Sequence, residues 1–466
     1  MTPSLLLSES RTTIRLAIPL IIGQLGQMLI GLSDTLMLGW LGVTQLAASS
    51  FANTIIYLPM MLGIGMSMAV SIRVSQARGA NEPAAARAAL RHGIYITFVL
   101  GLLTVALAFA LLPFLHLFKQ DPKVVAIAPT FFVLIAVSMI PAMVSMTVKN
   151  HADAMNRPWP VFWISLGGVF LDIFLNWVMI FGKLGVPAMG LEGAAISTII
   201  SRTAVLAGMI WWCLRDADIR EWVPQRWFRA PDWEAMKSLL RTGFPASMQL
   251  LAEVSAFVMA TFIIGNMGQA ALASHQVAIT CAATIFMVPL GISMALTVRM
   301  GEAFGAKNHG AMRPIVVSGW AMGIAFTVLS ATSFVLFNRE IAAAFIKGEQ
   351  AEQVLDAAAA LLIVAAAFQF CDALQIISAG ALRGLDDVHT PAWIAFWAYW
   401  VISIPLGWCL AHPLGLGVTG MWWGITLGLT ITAILLGRRI WKRTCTEALG
   451  YTGDPEVDGC DERVSP

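Results

Sequence analysis

An all-α membrane protein, with twelve transmembrane helices in two pseudo-symmetric six-helix lobes, is predicted by three features: apolarity, the spacing of apolar runs, and an internal repeat. Of the 466 residues 58% are hydrophobic and 12% charged, with a mean hydropathy of +0.76. No soluble core hides so much apolar surface, so much of it must face lipid. Apolar runs near the ~20 residues that a span requires fall at 14–38, 50–72, 92–112, 126–148, 160–181, 193–214, 242–265, 276–298, 315–337, 357–379, 391–411 and 417–437. Sliding the chain by 226 positions lays Pro245 on Pro19 and brings Gly39/Gly265, Gly42/Gly268, Gly65/Gly291, Ser67/Ser293, Arg73/Arg299, Arg87/Arg313 and Gly93/Gly319 into coincidence without a gap.

Taken in order, span 1 carries Gln24, Gln27, Gly31 and Asp34 at helical spacing, a narrow polar stripe in an apolar run. Four arginines (Arg73, Arg78, Arg87 and Arg91) punctuate the junction of spans 2 and 3. Ser165, Asp172 and Asn176 share a face of span 5, and Thr198 and Arg202 a face of span 6. Residues 215–241 are charged, tryptophan-rich and broken by proline, and read as a connector between the halves. In span 7, Gln249 and Glu253 are one turn apart; in span 10, Gln369, Asp372 and Gln375 recur every three residues. Spans 11 and 12 are rich in tryptophan, which suits packing and interfacial anchoring, and the tail has many acidic and few apolar residues. The predicted organisation is thus an N-terminal lobe over 1–214, a connector over 215–241, a C-terminal lobe over 242–440 and a disordered tail over 441–466.

Charge distribution orients this chain. With both termini on one side, nearly all Lys and Arg fall there, and the opposite side keeps only Lys119, Lys123, Lys183, Arg339 and Lys347. Both ends are therefore expected to be cytoplasmic, and because six is even the two repeats run parallel. Arg202 is then the only base expected inside a span. The N-terminus lacks a short apolar stretch with a small-residue cleavage site, so the first run is expected to be a retained span. Six scattered cysteines show neither zinc nor disulfide spacing. The net charge of +2 says little about partners, and no nucleic-acid partner is expected.

Of the acidic residues, Asp34, Asp172, Glu253 and Asp372 are the ones expected well inside spans. Polar residues in membrane helices also serve as interhelical hydrogen bonds worth about 1 kcal/mol. An ionised carboxylate is different, because hydrocarbon penalises it by several kcal/mol unless it meets a cation, a proton or water. For Asp172 a permanent structural partner, Arg202, is available. Enzyme motifs are nearly absent: no phosphate loop, HExxH or nucleophile elbow occurs, and Asp386–Asp387 in GLDDVH is a single acid pair without the second pair that holds magnesium-diphosphate. No enzymatic activity and no cofactor are expected, and with no nucleotide-binding segment any pumping must draw on an ion gradient.

The run PLIIGQLGQMLIGLSDTLMLGWLG, the segment LDIFLNWVMIFGKLGVPAMGLEGAAISTIISR, and CDALQIISAGALRGLDDVHTP with AYWVISIPLG resemble the multidrug and toxic compound extrusion (MATE) family, in its NorM-type bacterial branch, over residues 10 to 440. The resemblance implies two six-helix lobes about a V-shaped central cavity, and an inner-membrane antiporter, expected as a monomer in lipid. It would export small cationic amphiphilic compounds in exchange for protons or sodium ions by alternating access. It implies a C-lobe site at Glu253 and Asp372, with Gln249, Phe368 and Gln369 beside them. It also implies an N-lobe cation site, a possible sodium site, at Asp34, Asp172, Asn176 and Thr198. Two departures stand out: Asp172 where many relatives have Asn, and Phe368 where some sodium-coupled relatives have Tyr. The rival within the superfamily, a lipid-linked precursor flippase, is expected to line its cavity with several bases.

Overall fold

The computed structural model describes residues 3–118, 120–346 and 351–448. Its helices are α1 (Pro3–Leu41), α2 (Val43–Gly79), α3 (Pro83–Leu111), α4 (Pro122–Ala154), α5 (Pro158–Phe181), α6 (Gly190–Arg215), α7 (Trp233–Gly265), α8 (Gln269–Gly305), α9 (His309–Leu336), a short α10 (Asn338–Phe345), α11 (Ala351–Gly384), α12 (His389–Phe396), α13 (Ile404–Ala411) and α14 (Gly417–Ala448). A π-helical turn, Trp397–Ser403, joins α12 to α13, and among the described residues there is no β-strand. Among the described residues twelve helical stretches are long and apolar enough to cross a membrane, one for each predicted run. Large side chains such as Phe262, Leu329 and Phe170 are two-thirds exposed on them, as lipid-facing surfaces are and water-facing ones are not.

Most helices outrun their apolar cores. α2 continues through Arg73 to Gly79 and α4 through Lys149 to Ala154, because helical propensity does not end where hydropathy does. For the same reason α7 begins at Trp233, inside the predicted connector, and α14 takes in 441–448 of the predicted tail; the rest of that tail, 449–466, lies outside the described residues.

The chain divides into two compact units, residues 22–251 and residues 1–21 with 252–466. α1 and α7 are therefore each split between the units. In the first unit Ser247 of α7 donates to the Leu62 carbonyl at 3.0 Å, and a Cβ on Gly65 would lie 2.4 Å from the Ser247 backbone nitrogen. In the second, a Cβ on Gly291 would lie 3.0 Å from the backbone nitrogen of Ile21 in α1. Gly65/Gly291 and Ser247/Ile21 are both pairs at the 226 offset, so the repeat is a repeat of contacts as well as of letters. Gly93 against Val70 and Gly319 against Leu296 form another such pair. The turns at Gly42 (φ 137°) and Gly268 (φ 114°) need the positive φ that glycine supplies.

In the unit holding α14, backbones approach closely: a Cβ on Gly424 would sit 2.2 Å from the Gly407 Cα. Gly424→Ala is therefore expected to destabilise the protein by about 1–3 kcal/mol through overpacking. Gly167→Ala on α5, where a Cβ meets nothing within 4 Å, should be neutral or stabilising by about 0.5–1 kcal/mol. Melting curves of the two purified variants check both signs.

Candidate functional site

In residues 22–251, Asp34, Asp172 and Asn176 come together. Asn176 Nδ2 donates to Asp34 Oδ1 at 2.9 Å and to Asp172 Oδ2 at 3.2 Å. Ser197 Oγ donates to Asn176 Oδ1, which fixes the amide with its nitrogen toward the acids. Ser201 Oγ donates to Asp172 Oδ1 at 2.6 Å. Asp172 and Asn176 are buried and Asp34 half-buried, an asymmetry set by the i, i+4 spacing that turns both α5 residues inward. Thr198 is at hand but gives its hydroxyl hydrogen to the Ala194 carbonyl one turn back. Arg202 is anchored by Nη1 on Ser138 Oγ of α4 at 2.8 Å and acts on Asp172 and then Asp34 through space.

This donor set is all oxygen, which suits a hard monovalent cation, although Asn176 as oriented offers the acids its nitrogen. Among the described residues no group of three or more His, Cys, Asp or Glu is placed to hold a metal ion.

In residues 252–466, Glu253 and Asp372 are 8% and 7% exposed and lie in each other's field. Trp400 Nε1 donates to the Ala252 carbonyl at 3.2 Å, which holds the backbone beside Glu253. The side chains of Tyr399 and Gln375 face the Glu253 carboxyl, and Tyr399 Oη donates to Gln375 Oε1 at 3.1 Å. Asp372 Oδ1 and Gln375 Nε2 are buried without a hydrogen-bond partner. Such atoms are costly in an apolar interior. Gln369 Oε1 accepts from Ser330 Oγ at 2.6 Å, which turns it to α9, and its Nε2 is also unpartnered. Gln249 is buried within the 22–251 unit.

Phe368 is packed edge-on against Phe257 and Trp422, with centroids at 6.1 and 5.5 Å. Beyond this wall Trp422 Nε1 donates to His275 Nδ1 at 3.1 Å, and His275 Nε2 meets Thr261 Oγ1 at 3.0 Å. With Nδ1 accepting, the imidazole is neutral and its proton is on Nε2.

Several residues were missed from sequence. Tyr399 sits in the π-helical turn, where the Ile404 N–H bonds the Tyr399 carbonyl and Pro405 has no N–H for Val401; that proline was the available signal. Arg202, expected as the only base inside a span, is joined by a second base turned into the protein interior. Arg383 is 3% exposed, on the stripe of Asp372 and Gln375, donating to Ser293 Oγ at 3.2 Å and acting through space on Glu253. The apolar run stops at 379 whereas α11 continues to Gly384, so hydropathy alone leaves this buried arginine outside the helix. Asp153, also buried, pairs with Lys149 at 2.7 Å in the last turns of α4. Asp387 of the acid pair is held by Arg439 (2.6 and 3.1 Å) and Arg443 (3.4 Å).

Residues 19–178 and 245–409 match the MatE family model; the two segments begin at Pro19 and Pro245, in the register of the repeat. The chain is 33% identical over 434 residues, 93% of either chain, to a probable multidrug resistance protein NorM of Rhizobium meliloti. It is 32% identical, over 92% of this chain and 93% of the relative, to one of Agrobacterium fabrum. Solved structures with a like fold include an outward-facing multidrug resistance MATE family transporter (TM-score 0.86, 20% identity, 95% and 97% of the two chains). A MOP superfamily transporter from Pyrococcus furiosus gives a TM-score of 0.86 at 20% identity, over 94% and 97%. Matched by the family model in both halves and by these relatives over almost its whole length, the chain is a member of the MatE family.

Proposed function

We propose that this protein is a multidrug efflux antiporter, exporting cationic amphiphilic compounds across the inner membrane in exchange for protons or sodium ions by alternating access. The observation that carries this reading is the buried pair Glu253 and Asp372, with Asp372 Oδ1 lacking any donor. A carboxylate so placed is stabilised by a cation, whether drug or coupling ion. Two cations competing for one negative charge exchange for each other, and either shifts the access equilibrium only by its differential affinity for the two states. The names of the relatives support the drug assignment.

In this reading the chain works as a monomer with both termini cytoplasmic, its lobes are 1–214 and 242–440, and Asp34, Asp172, Asn176 and Thr198 form a second cation site. Protons are assigned to Glu253 and Asp372, because a proton needs no coordination shell whereas sodium needs several oxygens, and Phe368 supplies none. The flippase alternative is favoured by no observation.

Inverted vesicles given a proton gradient in nominally sodium-free buffer are expected to transport a fluorescent cationic drug. Transport that stops without sodium at every pH, with Phe368→Tyr tightening that need, overturns the proton assignment; no transport under either gradient overturns the antiporter.

A further inference from the structure

The stretch between α6 and α7 is held to α3 at a definite depth. Arg87, His92 and Tyr95 each grip part of it. Arg87 Nη1 donates to the Glu221 carbonyl at 2.9 Å. Tyr95 Oη donates to the Trp227 carbonyl at 2.6 Å, lies 3.0 Å from the Arg229 carbonyl and accepts the Arg229 N–H at 3.1 Å. His92, which is buried, gives its Nδ1 proton to the Ala88 carbonyl at 2.8 Å and accepts the Asp232 N–H on Nε2 at 3.0 Å. Ile219 and Val223 are buried as well, so the stretch is packed down and not merely tethered.

The apolar run of α3 begins at 92, and Tyr95 is only about 5 Å inside it at 1.5 Å per residue. Helical side chains lean toward the N-terminus, which brings the Tyr95 hydroxyl back toward the start of the run. Residues 227–232 therefore lie where hydrocarbon gives way to headgroups, and Glu221, held by Arg87, lies about 7 Å further out. At the inner level Phe228 is 98% exposed, between two residues whose carbonyls Tyr95 occupies. A single exposed apolar side chain needs no explanation on a water-facing surface. One held at the headgroup boundary, on backbone already hydrogen-bonded, is placed to enter lipid. Trp222, Trp227 and Trp233 are its aromatic neighbours in the chain, as suits a membrane interface. Arg226 and Arg229 are exposed beside it, and 222–231 contain no acid. Of the nearest acids, Asp232 takes the Glu234 N–H on Oδ1 at 3.1 Å, and Glu221 sits at the outer level.

We propose that residues 222–231 form an interfacial anchor: Phe228 enters the bilayer surface, and Arg226 and Arg229 bind the phosphates of anionic phospholipids in the leaflet on the proposed cytoplasmic side. Aromatic insertion sets the depth, and the guanidinium groups, unopposed by acid at that level, choose the headgroup. The anchor lies outside both carboxylate sites and does not depend on the antiporter reading.

A photo-crosslinker tests it in the full-length protein. Phe228→p-benzoylphenylalanine, and Glu221→p-benzoylphenylalanine as the outer control, are placed in nanodiscs of equal phosphatidylcholine and phosphatidylglycerol, irradiated, and read by mass spectrometry. Both side chains are exposed, so folding does not depend on either. Position 228 is expected to capture lipid and position 221 little or none. Phosphatidylglycerol should be favoured at 228 by about fivefold per arginine. With the crosslinker at 228, Arg226→Gln and Arg229→Gln should each lower that preference by about the same factor, and together should return it to the bilayer ratio while lipid is still captured. Arg226→Lys with Arg229→Lys should keep most of it. Absence of lipid at 228, equal capture at 228 and 221, or capture of a second copy of the protein in place of lipid overturns the anchor. Lipid captured at 228 in the bilayer ratio, or a preference that survives loss of both arginines, overturns the anionic-lipid site. Neither readout involves transport, so a protein that exports no drug can still pass this test, and one that exports can fail it.

Discussion

Cells carrying Glu253→Gln together with Asp372→Asn are expected to lose drug export while the protein still reaches the membrane at its normal level. Both substitutions keep the size and planarity of the side chain, glutamine for glutamate and asparagine for aspartate. What disappears is the negative charge in an interior where each acid is less than a tenth exposed. Truncating one partner of a buried charge interaction costs about 2–5 kcal/mol, a factor on the order of thirty or more per carboxylate. The double change should then bring resistance to the level of cells lacking the transporter. Each single variant should fall between. Susceptibility of cells to several cationic drugs, read beside membrane levels of the protein, is the measurement. Undiminished resistance in the double variant would falsify the assignment of Glu253 and Asp372.

How legible this arrangement was follows from the kind of signal each residue carries. The twelve spans and the repeat were plain because hydropathy and a constant offset are long-range averages, insensitive to any one side chain. Asp34, Asp172 and Asn176 were legible as stripes, and the structure joins them through the Asn176 amide. Ser197 and Ser201 were not, since serines in membrane helices mostly bond their own backbone, as both also do here. Arg383 escaped because the boundary was drawn where hydropathy fell, four residues short of the guanidinium that acts on Glu253. Tyr399 counted as one more aromatic in an aromatic span. The boundary between the two units, which falls within the continuous helices α1 after Ile21 and α7 after Leu251, leaves no mark in composition at all, because apolar sequence of the same kind continues on both sides; only the partners change.

The acid pair in GLDDVH gives the largest expected effect on stability, and the direction is not the one its acidity suggests. Asp387 is buried between α11 and α12, with its side chain 5% exposed, while Arg439 and Arg443 of α14 are 34% and 48% exposed. Arg439 grips both carboxylate oxygens and Arg443 adds a third contact, a geometry that ties the 384–389 loop to the last span. Asp386 beside it takes a φ of 61°, so the loop is held in a turn that few side chains favour. Removing the acid frees two arginines that already reach solvent, and Asp387→Ala should cost only about 1–2 kcal/mol. Removing both bases strands the carboxylate in a buried loop, and Arg439→Ala with Arg443→Ala should cost about 3–5 kcal/mol. Melting temperatures of the purified variants order the two directly. A metal-diphosphate site would give the opposite pattern: with the acids as its ligands, Asp387→Ala would abolish a magnesium-dependent rise in melting temperature while the arginine changes left it intact. Equal melting of the double arginine variant and wild type removes the ion cluster as the clasp of this loop.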